Sequence, residues 1–265
     1  MTKVKIAIFV LLLASKNALA QIVTKTDPDY TSMNNVQITS KTRDEILADE
    51  TGAEVKVLVK MLAGKSITQI LTSKVDTIIE SMNIFALRVN KDDLHALEND
   101  PNVEYVEIDH TVRAVAEEPI VHKQQGGRSL AETIGYGVQN VLQNITFWDK
   151  LPTPKDEIKI CVCDTGYDLG HEDLPNSGEV VGFNNPNINE KWTSDGVNHG
   201  THVAGIIAAL GGNDKGVRGV IPNNKDGKFK LMITKCLDKN GEGFIGSIIF
   251  AMDQCVANGR FSIKI

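Results

Sequence analysis

An aspartate and a histidine in this chain each stand within two residues of a glycine, the aspartate at the end of one apolar segment and the histidine at the start of another. Asp164 follows the apolar run Ile158–Cys163 and precedes Thr165-Gly166, where the chain can turn sharply. His199 precedes Gly200 at the start of an alanine-rich segment that is typical of a helix. A carboxylate can orient an imidazole, and the neutral imidazole can act as a general base. These residue types therefore predict two parts of a nucleophilic hydrolase site.

Both residues also have plainer interpretations, which the sequence leaves open. Asp164 could cap the turn that follows it, and His199 could be a surface residue that caps a helix. Gly200 favours the functional interpretation, because glycine permits the close approach of backbone or substrate. A zinc pair of His199 and His202 is the metal alternative, but the ligand spacing and a third ligand are missing, which favours a packed, structural His202. The remaining histidines lie in polar contexts and are predicted to be solvated: His95, His110, His122 and His171.

Apolar strands and helices alternate around the two residues. A nearly continuous apolar run is typical of a parallel strand buried on both faces, and active groups gather at the carboxyl ends of such strands. The alternation predicts an α/β domain with an open, mostly parallel sheet over residues 136–265. Its predicted strands are Ile158–Cys163, Val180–Phe183 and Leu231–Leu237, and its helices are Thr201–Leu210 and a last one from Ile245 to Asn258.

A smaller unit is predicted over residues 52–115. Alternating apolar residues indicate strands at Val55–Met61 and Phe85–Val89, and residues 102–115 are extended again. An apolar stripe at helical spacing over residues 66–79 and a short segment at Lys91–Glu98 predict two helices. Strand, helix, strand, helix and strand in this order favour a small α+β, ferredoxin-like domain.

The ends and the junction of these units have their own patterns. Lys3 and Lys5, the apolar run Ile6–Ala14 and Ala18-Leu19-Ala20 predict a signal peptide over residues 1–20 and hence a secreted, extracellular protein. Residues 21–51 are polar and aperiodic, which predicts a flexible segment. Residues 116–135 are polar and contain glycine, as expected of an exposed, cleavable linker.

Composition excludes several classes of partner. The net charge is −6 and aromatic residues make up 5% of the chain, so neither nucleic acid nor an anionic membrane is an expected partner. No apolar run is long enough to span a bilayer. In a secreted chain Asn144 is a candidate glycosylation site, and Cys161 could bond Cys255 if the last helix packs under its strand.

These motifs resemble two of the three signature motifs of the subtilisin-like serine proteases. The resemblance lies in Asp164-Thr165-Gly166 followed by Asp173-Leu174, and in the stretch His199–Gly205, and it extends from about Val55 to Gly259. It implies a serine endopeptidase, a hydrolase of peptide bonds, in which Asp164 orients His199 and His199 is the general base. Lys235-Cys236-Leu237 and the residues after it resemble the edge strand that binds an extended substrate; the implied substrate-binding residues are Asn240, Gly241 and Gly243.

The resemblance also implies a structural calcium ion and an inhibitory propeptide. Asp173 resembles a calcium ligand of the family, and Asn213 and Asp214 lie in a loop that could supply further oxygens. Residues 52–115 resemble the propeptide that makes such enzymes zymogens, with its C-terminal tail near Ile108–Val115 laid into the active site. The expected partners are protein or peptide substrates and the chain's own propeptide.

The family's nucleophilic serine and oxyanion-hole asparagine would both lie beyond Ile265. Ser247 falls inside the last predicted helix, where it is expected on the surface, and Ser262 lacks the nucleophile's context. The chain as written is therefore expected to be an inactive fragment, from premature termination or an incomplete gene model. Two alternatives remain: a non-catalytic inhibitor or pseudoprotease that acts through residues 52–115, and a metal-dependent hydrolase.

Overall fold

A computed structural model of the chain describes most of both predicted units. The described residues are 30–33, 36–48, 54–67, 71, 74–114, 132–142, 157–176, 178–221 and 227–258. The predicted signal peptide, Asn144, Ser262, His122 and most of the predicted linker lie outside them. No helix in the described part of the chain is long and apolar enough to cross a membrane.

In the described part of the N-terminal region, a six-stranded sheet packs with two fully described α-helices. The strands lie in the order β1-β2-β6-β3-β5-β4, and β3 pairs antiparallel with both β5 and β6. The strands are β1 (Tyr30–Met33), β2 (Val36–Thr39), β3 (Val55–Met61), β4 (Val75–Ile79), β5 (Ile84–Val89) and β6 (Val103–Ile108); the helices are α1 (Ser40–Ala48) and α2 (Lys91–Glu98).

Alternation along the strands gives this sheet two apolar faces. On one face Val57, Val59 and Leu87 pack in a core with Ile46 of α1 and Leu94 of α2. The other face has its own cluster, made by Leu58, Ile79, Ile84 and Ala86. Because side chains alternate across a strand, both faces are buried only if a second layer covers each of them. The helix α2 was predicted with the bounds that the structure shows, and it begins with a capping box of Asn90 and Asp93.

Two predictions for this region are wrong. Residues 21–51 were expected to be flexible, but β1, β2 and α1 lie within them, and β2 pairs in parallel with β6. Residues 66–79 were expected to form one helix, but the segment Val75–Ile79 is the strand β4, which pairs with β5. Its residues are largely β-branched, and pairing with a neighbouring strand outweighs the helical spacing of the apolar residues. Leu71, in the preceding segment, is helical.

The C-terminal region contains a parallel three-stranded sheet in the order β8-β10-β9. Its strands are β8 (Ile158–Asp164), β9 (Val180–Phe183) and β10 (Phe229–Lys235), and its helices are α3 (Tyr136–Leu142), α4 (His199–Ala208) and α5 (Ile245–Asn258). The three predicted strands and the two predicted helices are confirmed, with ends that differ by two residues at most. A short antiparallel pair, β7 (Thr111–Arg113) with β11 (Glu242–Phe244), joins the two regions.

Two disulfides fix β8, the strand that ends at Asp164. The predicted bond between Cys161 and Cys255 is present, with a Cα–Cα distance of 6.1 Å, and it joins β8 to α5. A second bond, which was not predicted, joins Cys163 to Cys236 over a Cα–Cα distance of 5.6 Å. Cys163 lies opposite Thr234 in the parallel register, and Cys236 follows two residues later, directly after β10 ends.

Gly182 in β9 offers a test of the packing. An added Cβ would lie 2.2 Å from Cδ2 of Trp192, whose ring packs against the core of the C-terminal region. Gly182→Ala is therefore expected to lower the free energy of unfolding by about 1–3 kcal/mol, as overpacking does. Urea titration followed by tryptophan fluorescence measures the change. Gly137→Ala is the control, because its Cβ would meet no atom within 4 Å and it lies in α3; equal losses in both variants would contradict the account.

Candidate active site

The strand β8 and the helix α4 bring together the two residues singled out from the sequence. Asp164 is the last residue of β8 and is paired in register with Lys235 of β10. His199 is the first residue of α4, and Asn198 before it takes a left-handed conformation with a φ of 66°. The chain therefore turns sharply just before the helix, which points the first residue of α4 toward the carboxyl end of the sheet.

The two side chains share a hydrogen bond. His199 Nδ1 lies 2.7 Å from Asp164 Oδ1, and the side chains are 25% and 11% exposed, respectively. The same carboxylate oxygen accepts the backbone N–H of Thr165 at 2.7 Å. A carboxylate hydrogen-bonded to Nδ1 fixes the tautomer of the ring and stabilises the imidazolium that forms when Nε2 takes up a proton. The contact expected from the sequence is therefore present, in a partly buried place where it is strengthened.

Gly200 is what allows β8 and α4 to approach so closely. A Cβ on this residue would lie 2.3 Å from the carbonyl oxygen of Gly166 and 3.1 Å from Cβ of Asp164. Any larger residue would have to push the start of α4 away from the end of β8. The role that Gly200 was expected to have, close approach of the backbone, is confirmed.

A buried lysine behind the site was not singled out from the sequence. Lys235 is fully buried, and its Nζ donates to the carbonyl oxygens of Thr165 and of Ser194, the latter at 2.9 Å. Its charge is balanced by the Glu190 carboxylate at 3.0 Å. A lysine within the largely apolar stretch Leu231–Leu237 is the sequence signal that could have revealed it, because buried charges need partners.

Asp195 is a second residue that the sequence did not reveal. Its carboxylate accepts hydrogen bonds from Thr165, Asn198 and Thr201. Burial raises the pKa of the Asp195 carboxyl, but these hydrogen bonds outweigh burial and hold the pKa below its usual range. The Asp195 carboxyl is therefore ionised in the folded protein near neutral pH.

The predicted substrate-binding strand is occupied by the tail of the N-terminal region. Gly243 in β11 lies opposite Val112 in β7, and the backbone N–H of Ala114 donates to the carbonyl oxygen of Gly241 at 2.8 Å. Asn240, by contrast, lies in the turn before β11, where its N–H and side chain bond Asp238. Two of the three residues implied by the resemblance thus pair with an extended segment.

Further contacts bury the junction between the two regions. The Asp109 carboxylate, 5% exposed, accepts the N–H of Gly246 in the first turn of α5 at 2.7 Å. Burial raises the pKa of Asp109, and the Gly246 N–H opposes that rise in part. The second face of the N-terminal sheet packs against Ile245, Ile249 and Phe250, so α5 is the layer that covers this face.

The implied calcium ligands come together only in part. Asp173 is buried, and its two carboxylate oxygens accept N–H bonds from the Asn213 amide and from Val217, both at 2.8 Å. Asp214 follows with a φ of 58°, and no contact between it and Asp173 is recorded. The carboxylate and amide oxygens are of the kind that calcium prefers, once the Asn213 amide turns its oxygen inward. Within the described ranges, no group of three or more His, Cys, Asp or Glu side chains could hold a metal.

Two other expectations for single residues are wrong. His202 was expected to be packed, but it is exposed, because the side of α4 on which it lies faces away from the sheet. Ser247 was expected on the helix surface, but it is fully buried, since α5 is covered by both regions. The backbone carbonyl of Ser247 accepts the Asn185 amide at 3.0 Å. His95, His110 and His171 are exposed, as predicted.

Known proteins match this region and the site within it. Residues 155–260 match the model of the subtilase family. The chain is 34% identical over 170 residues to a thermophilic serine proteinase of Bacillus sp. (strain AK1), covering 64% of this chain and 38% of that protein. It is 31% identical over 194 residues to subtilisin E of Bacillus subtilis (strain 168), covering 70% of this chain and 42% of that protein.

A solved structure supports the fold. The epidermin leader peptide processing serine protease from Staphylococcus aureus aligns with a TM-score of 0.54 at 16% identity, over 78% of this chain and 48% of that one. The chain spans about two fifths of the length of the two curated relatives described above. The aspartate and histidine lie inside the matched residues, at the ends of elements that the sequence predicts and the structure confirms. Residues 155–260 are thus similar to the subtilase family of subtilisin-like serine proteases, and the longer alignments with two of its proteases point the same way.

Proposed function

We propose that this chain is part of the precursor of a secreted endopeptidase that hydrolyses peptide bonds. The observation that carries the proposal is the 2.7 Å hydrogen bond between His199 and Asp164, because the two residues then form an oriented general base. The neighbouring strand β11 supports it, since its backbone already pairs with an extended segment as it would with a substrate.

In the proposed reaction His199 takes the proton of a serine hydroxyl through Nε2 while Asp164 holds Nδ1. The serine attacks the peptide carbonyl to form an acyl-enzyme, and His199 returns the proton to the leaving amine. Among the described residues Asp164 is the side chain that hydrogen-bonds His199, and Ser247 is fully buried in α5. We therefore propose that the 265 residues by themselves do not turn over peptides, since triad members act as a unit.

The N-terminal region is proposed to be the inhibitory propeptide. Four of its strands lie in the order β6-β3-β5-β4, which is the order of a ferredoxin-like split βαβ domain, and this supports the predicted fold. Its tail β7 pairs with β11, the strand with which an extended substrate would have to pair. The same contact would let the domain bind a related protease in trans, which is the alternative function. Secretion is supported by the charged and apolar pattern of residues 1–20.

Calcium is proposed to stabilise the loop that carries Asn213. Asp173 and the amide oxygen of Asn213 would hold the ion, together with backbone carbonyls of the loop. A bound calcium ion would supply rigidity and take no part in the chemistry. The loop lies beside α4, because the carbonyl of Asp173 accepts the N–H of Leu210, two residues after the helix ends.

The catalytic roles are tested in a longer protein that contains these 265 residues and hydrolyses casein. His199→Ala and Asp164→Asn are each expected to lower casein hydrolysis by a factor on the order of 10⁴, because the proton transfer loses its base or its orientation. Wild-type hydrolysis should be abolished by phenylmethylsulfonyl fluoride. His202→Ala, at an exposed position on the same helix, is the control and should keep full activity. Casein hydrolysis that survives His199→Ala would contradict the proposal, as would turnover by the 265-residue chain.

The inhibitory role predicts a measurable release of the N-terminal domain. Asp109→Ala removes the carboxylate that accepts the Gly246 N–H, a kind of bond that contributes about 1.5–3 kcal/mol when one partner is charged. Once residues 116–135 are cleaved in the longer, casein-hydrolysing protein, the domain is expected to dissociate at least about tenfold faster, as measured by the rise of casein hydrolysis with time. Asp92→Ala, exposed on α2 across the sheet, is the control. Equal release rates in all three proteins would show that the contact does not hold the domain.

Calcium binding predicts a shift in thermal stability. A hundredfold excess of calcium over its dissociation constant would stabilise the folded protein by about 2.7 kcal/mol, raising the midpoint of thermal unfolding relative to a chelator. Asp173→Asn should abolish the dependence on calcium, and magnesium should not replace calcium because it demands a smaller octahedral site. A midpoint that is the same in calcium and in chelator would refute the site.

A further inference from the structure

One carboxylate connects the segment of Asp164 to the segment of His199. Asp195 Oδ1 accepts the hydroxyl of Thr165 at 2.7 Å, and Thr165 is the residue that follows Asp164. The same oxygen accepts the N–H of Asn198, the residue before His199, at 2.9 Å. Oδ2 accepts both the N–H and the hydroxyl of Thr201, two residues after His199, at 2.8 and 2.6 Å. Four hydrogen bonds on one side chain thus reach both sides of the candidate pair.

Thr165 makes a second connection between the segment of Asp164 and the segment of His199. Its hydroxyl donates to Asp195 and accepts the N–H of Gly200 at 3.0 Å, so it bonds the residue directly after His199. Thr165 is fully buried, and Lys235 holds its carbonyl from the other side. Its position relative to Asp164 is therefore fixed by the strand, and its position relative to His199 is fixed by its hydroxyl.

The negative charge of the Asp195 carboxylate suits it to accept these four hydrogen bonds. An ionised carboxylate accepts several N–H and O–H donors at once, and such charge-assisted bonds are about twice as strong as neutral ones. The first turn of α4 offers backbone N–H groups that no carbonyl of the helix can accept, and Asp195 satisfies that of Thr201. The low pKa of Asp195 agrees with a carboxylate that stays ionised while it holds these donors.

We propose that Asp195 is a positioning residue that sets the distance and angle between Asp164 and His199. It touches neither side chain of the pair; it holds Thr165 beside one and Asn198 and Thr201 beside the other. Asparagine at this position has one acceptor oxygen and no charge, so the two bonds from Thr201 lose their acceptor and the bonds from Thr165 and Asn198 lose their charge assistance. The pair is then free to separate, although β8 and α4 remain in place through the sheet and its core. The inference rests on the proposed function only in that Asp164 and His199 serve there as the oriented general base of a peptidase.

The test follows the hydrogen bond itself by proton NMR on the 265-residue chain. A proton held between Nδ1 of a histidine and a carboxylate resonates at unusually low field and exchanges slowly with water while it is protected. Asp195→Asn is expected to lose or broaden the low-field signal of His199, with the thermal unfolding midpoint recorded alongside. Asp168→Asn makes the same chemical change at an exposed neighbouring position and should leave the signal in place. An unchanged signal in Asp195→Asn would overturn the proposal.

A second pair of variants decides the question if Asp195→Asn does not fold. Thr165→Val removes the hydroxyl that joins Asp195 to Gly200, while Thr165→Ser keeps it. The valine variant should lose the low-field signal and the serine variant should retain it. Loss in both, or retention in both, would show that the hydroxyl does not transmit the position of Asp195 and would overturn the inference.

A longer, casein-hydrolysing protein that contains these 265 residues adds a kinetic measurement. Displacement of the general base by about 1 Å costs on the order of 10² in rate, so Asp195→Asn should lower kcat by about that factor and leave KM nearly unchanged. A rise in KM alone would point to substrate binding and contradict a positioning role. The NMR measurement needs no turnover, so its failure refutes the role of Asp195 and leaves the proposed peptidase activity standing. If the longer protein is inactive but the low-field signal behaves as expected, the peptidase activity is refuted and the role of Asp195 stands.

Discussion

The hydrogen bond between His199 and Asp164 is the contact on which the functional interpretation depends. It joins two segments that lie 35 residues apart and come from different elements of the fold. Each partner has its place for a separate reason: Asp164 because β8 ends there in register with β10, and His199 because a left-handed Asn198 turns the chain into α4. The missing side chain of Gly200 then allows the two elements to come within hydrogen-bonding distance.

The segment from β11 to α5 connects this site to the N-terminal region. The strand β11 pairs with the tail β7, and α5 follows it directly and covers the second face of the N-terminal sheet. The disulfide between Cys161 and Cys255 joins the far end of α5 to β8, the strand that carries Asp164. The helix α5, against which the N-terminal region packs, is thus covalently linked to β8, the strand that ends at Asp164. The tail β7 is therefore held at a fixed position relative to the site.

Much of the C-terminal region could be predicted from the sequence, because its strands are apolar runs and its helices have regular apolar stripes. The same reasoning failed where stability comes from pairing with distant residues. The strand β2 is short and is held by its parallel pairing with β6, and in β4 the apolar residues also fit a helix. The polar residues of the site were missed because their importance comes from contacts that the sequence does not show. Asp195 lies in a loop and bonds Thr165, 30 residues before it, as well as two residues close by. Lys235 ends a strand and bonds Thr165 and Ser194, 70 and 41 residues before it. For Lys235, a charge in an apolar strand was a usable signal; Asp195 offered none beyond its nearness to His199.

The account is tested most directly by a crystal structure of the 265-residue protein, in which the separation of the Asp164 carboxylate and the His199 ring can be measured. We expect the carboxylate to lie within hydrogen-bonding distance of Nδ1, with Thr111–Arg113 paired to Glu242–Phe244 beside it. A structure in which Asp164 and His199 face different regions of solvent, with the first helical turn of residues 199–208 displaced from the end of β8, would contradict the assignment of this site.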